Sequence, residues 1–164
     1  KLIRVISPDD IQKILTYSKK HEHEMYRIIF FALYTGCRRE EIVKLRYEDI
    51  KDGCITIHGK GNKERLIPLV DKVYEVLHSQ DVGRIFEYQH TSTLTNYFRR
   101  ICSVCKVSAR FHDLRHTAAT QMISSGIPIE VVKAILGHVE LRTTQIYAQV
   151  VADKMRQEMS KLKY

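Results

Sequence analysis

The side chains best suited to chemistry are two histidines, two arginines and a tyrosine that are spread along the sequence. His112 and Arg115 are three positions apart, so on one helical turn both can reach a single anionic group. Arg38 follows a glycine-marked break, His138 follows a helix-ending glycine, and Tyr147 comes nine residues after His138. Together these residue types could hold a phosphodiester between guanidinium groups and attack it with a phenol.

Each of these residues also has a plain structural interpretation. His112 and Arg115 could be a capped helix start, and Arg38 could be a first-turn surface residue paired with Glu40 or Glu41. An arginine is poorly placed at a helix N-terminus by the helix dipole, which favours a functional role for Arg38. A phosphate there would also meet the free N–H groups of the helix start.

A lysine-bearing turn adds a proton donor to this set. Lys60 lies at the tip of a predicted hairpin, with glycines on both sides that permit close backbone approach and some mobility. Taken alone, the segment could simply be a basic turn. A lysine at this tip could also protonate a leaving oxygen.

The charge balance indicates a polyanionic partner. The 164 residues contain 27 Lys and Arg against 19 Asp and Glu, a formal net charge of +8. Nucleic acid is the first candidate and an acidic membrane surface the second. No apolar run approaches the roughly 18 residues of a membrane span, so we expect a cytoplasmic, nucleoid-associated protein. The four cysteines fit free thiols, and the Cys102–Cys105 spacing fits a shared helix face better than a zinc site.

The hydrophobic pattern predicts one mostly helical α+β domain with a small antiparallel sheet. Ser7 and Pro8 form a helix start, and Gly36 closes a second helix that begins near residue 24. A short helix follows around 41–45, then strands at 54–58 and 65–69. Arg84–Phe86 could add a third short strand. The remaining predicted helices are 71–78, 92–105, 113–124, 128–136, 141–149 and 152–162.

Five segments in a fixed order resemble the catalytic domain of the tyrosine recombinases, the phage-integrase and Xer-like group. The resemblance runs from Ser7 to about Val151, and the segments that carry it are Thr35-Gly36-Cys37-Arg38-Arg39-Glu40-Glu41, Gly59-Lys60-Gly61-Asn62-Lys63-Glu64-Arg65-Leu66-Ile67-Pro68-Leu69, His112-Asp113-Leu114-Arg115-His116-Thr117-Ala118-Ala119-Thr120, Leu136-Gly137-His138 and Thr143-Thr144-Gln145-Ile146-Tyr147.

The resemblance implies a role for each matching residue. Tyr147 would attack the scissile phosphate and form a 3′-phosphotyrosyl link, while Arg38 and Arg115 would hold the non-bridging oxygens. Lys60, or alternatively Lys63, would protonate the departing 5′-oxygen. His112 would assist proton transfer at the nucleophile, and His138 would donate a hydrogen bond to the phosphate. Glu41 would support the site without reacting.

The resemblance also implies an organisation. Family members usually carry an N-terminal core-binding domain that completes a clamp around double-stranded DNA. Here the sequence starts almost at the catalytic domain, so it is expected to be a fragment comprising that domain, residues 1–164. No cofactor or metal is expected. The tail from Ala152 either packs on its own domain or docks on a neighbouring subunit in a homo-tetramer on DNA.

Two other functions fit part of the sequence. Residues 113–136 read as a helix-turn-helix DNA binder, but the second helix offers only Glu130 and Lys133 as polar readers of base edges. That interpretation also leaves Arg38 and Tyr147 unexplained. A type IB topoisomerase would relax DNA with the same cleavage chemistry.

Overall fold

The computed structural model describes residues 3–77, 82–137 and residue 160, and it combines helices with a small antiparallel sheet. The strands are β1 (Ile50–Lys51), β2 (Cys54–His58) and β3 (Glu64–Pro68), and a 3₁₀ turn at Tyr47–Asp49 precedes β1. The predicted fold class is confirmed. Within the described residues the helices are α1 (Pro8–His21), α2 (His23–Thr35), α3 (Arg39–Ile42), α4 (Asp71–Leu77), α5 (Thr91–Cys105), α6 (Asp113–Ser124) and α7 (Ile129–Leu136).

The start of α1 and the end of α2 lie where their capping residues predict. Ser7 Oγ accepts a hydrogen bond from the Asp10 backbone N–H at 3.2 Å, and Pro8 is the first residue of α1. Gly36 ends α2 with φ 63° and ψ 17°, a left-handed conformation that glycine adopts without a Cβ clash. Its N–H donates to the Ala32 carbonyl at 2.8 Å. The chain therefore turns sharply just before Arg38.

The sheet has the strand order β1-β2-β3, and its third strand is not the predicted one. The hairpin of β2 and β3 is confirmed, with His58 opposite Glu64 and Cys54 opposite Pro68. The third strand is Ile50–Lys51, paired with β2 across a tight turn. Arg84 instead forms an isolated bridge with Arg46, a pairing at a single residue that does not continue as a strand.

Helix α2 lies at the centre of the main core. It packs against α1, α4, α5 and α6, and its buried face joins residues of the sheet and of α5. A second hydrophobic cluster lies between α6 and α7. Fully buried side chains of the main core include Met25, Ile28, Phe31, Ile55, Leu94 and Phe98. This packing brings the N-terminus of α6 beside the end of α2 and the end of α7.

The remaining helix predictions concern the chain after α6. Helix α7 begins at Ile129, with Pro128 as its N-cap residue. The predicted helices 141–149 and 152–162 lie outside the described residues.

Among the described helices, none combines the length and the apolar character needed to cross a bilayer. All four cysteines are free thiols, and Cys37 and Cys102 are buried.

Candidate active site

Arg115 is a buried and oriented guanidinium on the first turn of α6, only 7% exposed. Its Nη1 donates to the Gly36 carbonyl at 2.7 Å and its Nη2 donates to the Leu136 carbonyl at 2.8 Å. A guanidinium carries five N–H donors, so these two bonds fix its orientation and leave three for a ligand. Burial, and then the charge of Arg38, lower the pKa of Arg115 to about 10, so it stays charged at neutral pH.

Arg38 lies at the N-terminal boundary of α3, two residues after the glycine whose carbonyl holds Arg115. Its backbone N–H donates to Oε2 of Glu41 at 2.7 Å, and its Nη1 lies 3.5 Å from Oε1 of the same carboxylate. The side chain is 40% exposed, so solvent reaches a residue whose backbone is fixed. The charge of Arg38 acts on both Arg115 and His112, which places the three groups within electrostatic reach of one another.

His112 immediately precedes α6 and supplies a neutral imidazole at the same place. Its ring meets that of His116 edge-on, with centroids 4.7 Å apart and planes at 85°. Partial desolvation of the ring, followed by the charges of Arg115 and Arg38, lowers the pKa of His112. A lowered pKa keeps the imidazole unprotonated at neutral pH, which is the form that can accept a proton.

Glu41, which accepts a hydrogen bond from the Arg38 backbone, also forms a buried ion pair with Arg65. Arg65 Nη1 donates to Oε1 of Glu41 at 2.8 Å and its Nη2 donates to Oε2 at 3.0 Å, a bidentate contact. Burial opposes the charge of Glu41, but the bonds from Arg65 and from the Arg38 backbone outweigh it, and the pKa of Glu41 lies below its ordinary value. Glu41 thus connects α3 to the sheet through hydrogen bonds on both carboxylate oxygens.

Sequence reasoning assigned no role to Arg65, which connects three parts of the site. Beyond Glu41, its Nε donates to the Ile135 carbonyl at 2.6 Å and its Nη2 lies 3.8 Å from Cys37 Sγ. A signal was present in the sequence. Arg65 and Ile67 are alternate residues of β3 and share a face, and Ile67 is buried. An arginine on the inner face of a strand requires a buried acceptor, which Glu41 provides.

The turn that carries Lys60 lies beside this ion pair. Lys60 and Lys63 are both exposed, and the Gly59 N–H donates to the Lys63 carbonyl at 2.7 Å. A Cβ at Gly59 would lie 3.8 Å from Oε1 of Glu41, so the base of the turn approaches the carboxylate that holds Arg38. The structure therefore brings the turn close to the arginines and leaves the choice between the two lysines open.

The predicted residues Tyr147 and His138 lie outside the described residues. The structure does describe the end of α7, where Arg65 donates to the Ile135 carbonyl and Arg115 donates to the Leu136 carbonyl. Two guanidinium groups thereby fix the last turn of the helix. His138 follows two residues later in the sequence.

The described part of the site combines two charged guanidinium groups with a neutral imidazole and a nearby lysine turn. Such a set can bind the non-bridging oxygens of a phosphodiester and accept a proton close to it. The chemistry of the described residues is therefore suited to a phosphodiester ligand.

The chain matches the model of the phage integrase family over residues 4–154, and it belongs to that family. It is 33% identical to a tyrosine recombinase of Pseudothermotoga lettingae, over 94% of this chain and 59% of that protein. It is 31% identical to the tyrosine recombinase XerA of Pyrococcus furiosus, over 98% of this chain and 58% of that protein. The chain therefore spans less than two thirds of the length of these relatives.

Solved structures confirm the predicted catalytic fold. A crystal structure of XerA recombinase superposes with a TM-score of 0.77 at 23% identity, covering 98% of this chain and 64% of that one. The lambda integrase catalytic core gives a TM-score of 0.71 at 20% identity, covering 83% of this chain and 92% of that one. At these identities the likeness concerns the fold.

Proposed function

We propose that this chain is the catalytic domain of a site-specific DNA recombinase or integrase that cleaves and rejoins strands through a 3′-phosphotyrosyl intermediate. The observation that carries the proposal is Arg115, a buried guanidinium that two backbone carbonyls orient beside Arg38. Family membership supplies the reaction class, and the tyrosine recombinases of P. lettingae and P. furiosus are its named members.

In the proposed reaction, Arg38 and Arg115 bind the two non-bridging oxygens of the scissile phosphate. Their charges match the extra negative charge that develops as phosphorus becomes five-coordinate. Arg115 needs no reorientation, because its carbonyl bonds already fix its plane. Arg38 is more exposed, and its backbone bond to Glu41 limits how far it can move.

The covalent step exchanges one phosphodiester for another. The phenol oxygen of Tyr147 forms a bond to phosphorus while the bond from phosphorus to the 5′-oxygen breaks. Neutral His112 assists removal of the phenol proton, Lys60 gives a proton to the departing 5′-oxygen, and His138 donates a hydrogen bond to the phosphate. Because the new ester retains the bond energy, rejoining by the reverse attack of a 5′-hydroxyl requires no nucleotide hydrolysis.

The proposed partner is double-stranded DNA, in agreement with the net charge of +8. A lambda integrase tetramer bound to a Holliday junction shares this fold at 20% identity. We extend the proposal to a homo-tetramer on DNA that uses the tail from Ala152, a segment outside the described residues.

The decisive experiment offers the chain a nicked suicide duplex in which the cleaved end diffuses away. Wild type is expected to form a covalent adduct in EDTA, and Tyr147→Phe is expected to form none while still binding the duplex. Peptide mapping of the adduct should place the DNA on Tyr147. If neither protein forms an adduct and both bind DNA, the helix-turn-helix alternative replaces the proposal.

The topoisomerase alternative is separated by sequence preference. A recombinase should cleave one site within a library of duplexes and should join strands between two copies of it. Relaxation of supercoiled DNA at unrelated sequences, with no strand exchange, would instead assign the chain to the type IB topoisomerases.

A further inference from the structure

His58, the last residue of β2, is hydrogen-bonded to carboxylates on two different elements. Its Nδ1 lies 2.9 Å from Oε1 of Glu64, the residue opposite it on β3. Its Nε2 lies 2.8 Å from Oδ1 of Asp49, in the 3₁₀ turn before β1. The imidazole therefore bridges the hairpin and the turn that precedes the sheet.

This geometry requires a charged ring. A carboxylate only accepts hydrogen bonds, so each ring nitrogen must carry a proton for both contacts to form. The hydrogen bond to Asp49, opposed by partial burial and aided by Glu64, raises the pKa of His58 above its ordinary value. Asp49 and Glu64 are the charged groups that face it from the 3₁₀ turn and from β3, within the part of the chain that the structure describes.

The bridge closes the base of the lysine turn, which we define as residues 59–63. Asp49 is itself held, because its Oδ2 accepts the Arg46 N–H at 2.9 Å. On the other side, the His58–Glu64 pair stands directly before and after the turn. Inside it, the Gly59 N–H donates to the Lys63 carbonyl. Lys60 and Lys63, the two candidate general acids, therefore lie in a turn that the His58–Glu64 pair closes.

We propose that His58 is a positioning residue for the general acid: its imidazolium, held between Asp49 and Glu64, fixes the lysine turn so that a lysine can protonate the departing oxygen. The inference rests on the proposed strand cleavage and deepens it. Loss of the proton removes one of the two bonds, loosens the turn and slows protonation of the leaving group. His58 itself touches no reacting atom.

The direction of the pH effect follows from the raised pKa of His58. A raised value means that the bridge is complete below the ordinary histidine pKa of about 6.5 and is lost as the pH rises through the higher folded value. The advantage of wild type over a variant without the bridge should therefore be largest near pH 6 and should shrink as the pH increases.

The first test compares single-turnover adduct formation across pH for wild type, His58→Gln and His58→Arg. Glutamine donates from one nitrogen only, so cleavage should be slower by about threefold at low pH and equal to wild type at high pH. Arginine keeps its charge and two donor edges, so it should retain the rate at high pH. His90→Gln, an exposed histidine at the start of α5, serves as the matched control and should follow wild type. A wild-type to glutamine ratio that is the same at every pH overturns the proposal.

The second test removes the need for a general acid. A duplex with a 5′-bridging sulfur at the scissile phosphate has a leaving thiolate that requires no proton. On this substrate wild type and His58→Gln should cleave at the same rate throughout the pH range. A difference that persists would show that His58 acts elsewhere, and it would also overturn the proposal.

A third measurement does not depend on catalysis. The Gly59 N–H donates to the Lys63 carbonyl, so its hydrogen exchange reports on the turn. After correction for the intrinsic effect of pH on exchange, it should quicken in wild type as His58 loses its proton, and it should be quick in His58→Gln from the start. If wild type forms no adduct at all, the recombinase proposal fails, and this measurement still decides the role of His58. Equal protection of the Gly59 amide in the two proteins near pH 6 overturns it.

Discussion

Two arginines of this domain are equally buried and differ in what surrounds their charge. Arg27 on α2 and Arg115 on α6 are each 7% exposed. Arg27 donates to Glu24 Oε2 at 2.7 Å, and its other bonds go to the carbonyls of Val76, Leu77 and Ile85. The described hydrogen bonds of Arg115 go only to two neutral carbonyls.

We interpret this difference as that between a structural arginine and the arginine for which we propose a phosphate ligand. At Arg27, the carboxylate and three carbonyls take four of the five N–H donors, so the residue joins α2 to the end of α4 and to the segment near Ile85. At Arg115, the carbonyls fix the orientation and leave the positive charge for a ligand anion. Burying a charge that has no hydrogen-bonded carboxylate costs free energy, so such an arrangement is typical of functional sites.

The largest effect is expected for Arg115→Ala. Strand cleavage should fall by about 10³-fold, because one of two groups that stabilise the transition-state charge is lost. Duplex affinity should change little, since most of it comes from many other phosphate contacts. Single-turnover cleavage and equilibrium binding at one salt concentration measure the two quantities. An equal loss in both would assign Arg115 to binding alone and remove the contrast with Arg27.

Arg27→Met should affect stability more than chemistry. The substitution leaves the half-buried Glu24 carboxylate with the Glu87 N–H as its described hydrogen-bond donor, and it lowers the free energy of unfolding by about 3 kcal/mol. Denaturant unfolding measures this loss, and adding Glu24→Gln should restore part of it. Cleavage per folded molecule should match wild type. A stable Arg27→Met protein that cannot cleave would contradict the assignment.

Glu41→Gln should have an intermediate effect with a defined pH dependence. The pKa of Glu41 is lowered in the fold, so its charge stabilises the protein above the ordinary value of 4.5 and this contribution is lost as the pH falls through the lower folded value. At neutral pH the variant should be less stable by about 1–3 kcal/mol, because Arg65 loses its charged partner. Thermal unfolding from neutral to acid pH should show the difference narrowing below about pH 4.5. A constant difference would exclude this role.

The smallest effect is expected for Arg39→Ala, the neighbour of Arg38. Its contacts with Glu40 and Thr95 are exposed, so the free energy of unfolding should change by less than about 0.5 kcal/mol. Thermal unfolding provides the measurement. A larger loss would mean that exposed arginines of α3 stabilise the fold, which would weaken the distinction drawn from Arg27.

Local signals in the sequence predicted most elements of the fold. Ser7, Pro8 and Gly36 act through their own backbone or side-chain geometry, so their effects depend little on distant residues. The third strand was missed although a signal was present. Asp52 and Gly53 have φ of 51° and 73°, the positive values of a tight hairpin turn that an Asp-Gly pair favours. A two-residue strand has too little alternation to be found by periodicity.

The candidate site was predicted less completely, since it is assembled from distant segments. The structure brings Arg38, Glu41, His112 and Arg115 together with the lysine turn, as the motifs predict. Arg65 was missed because its partners, Glu41 and the Ile135 carbonyl, are 24 and 70 residues away in the chain. Tyr147 and His138 remain predictions.

The turn at Gly36 has a consequence for which substitutions the domain can accept. A Cβ at this position would lie 2.2 Å from Cδ2 of the buried Leu136. A larger residue must displace the Leu136 side chain, next to the Gly36 and Leu136 carbonyls that orient Arg115. A single added methyl at Gly36 is therefore expected to disturb the orientation of Arg115 from outside the set of residues that we propose to react.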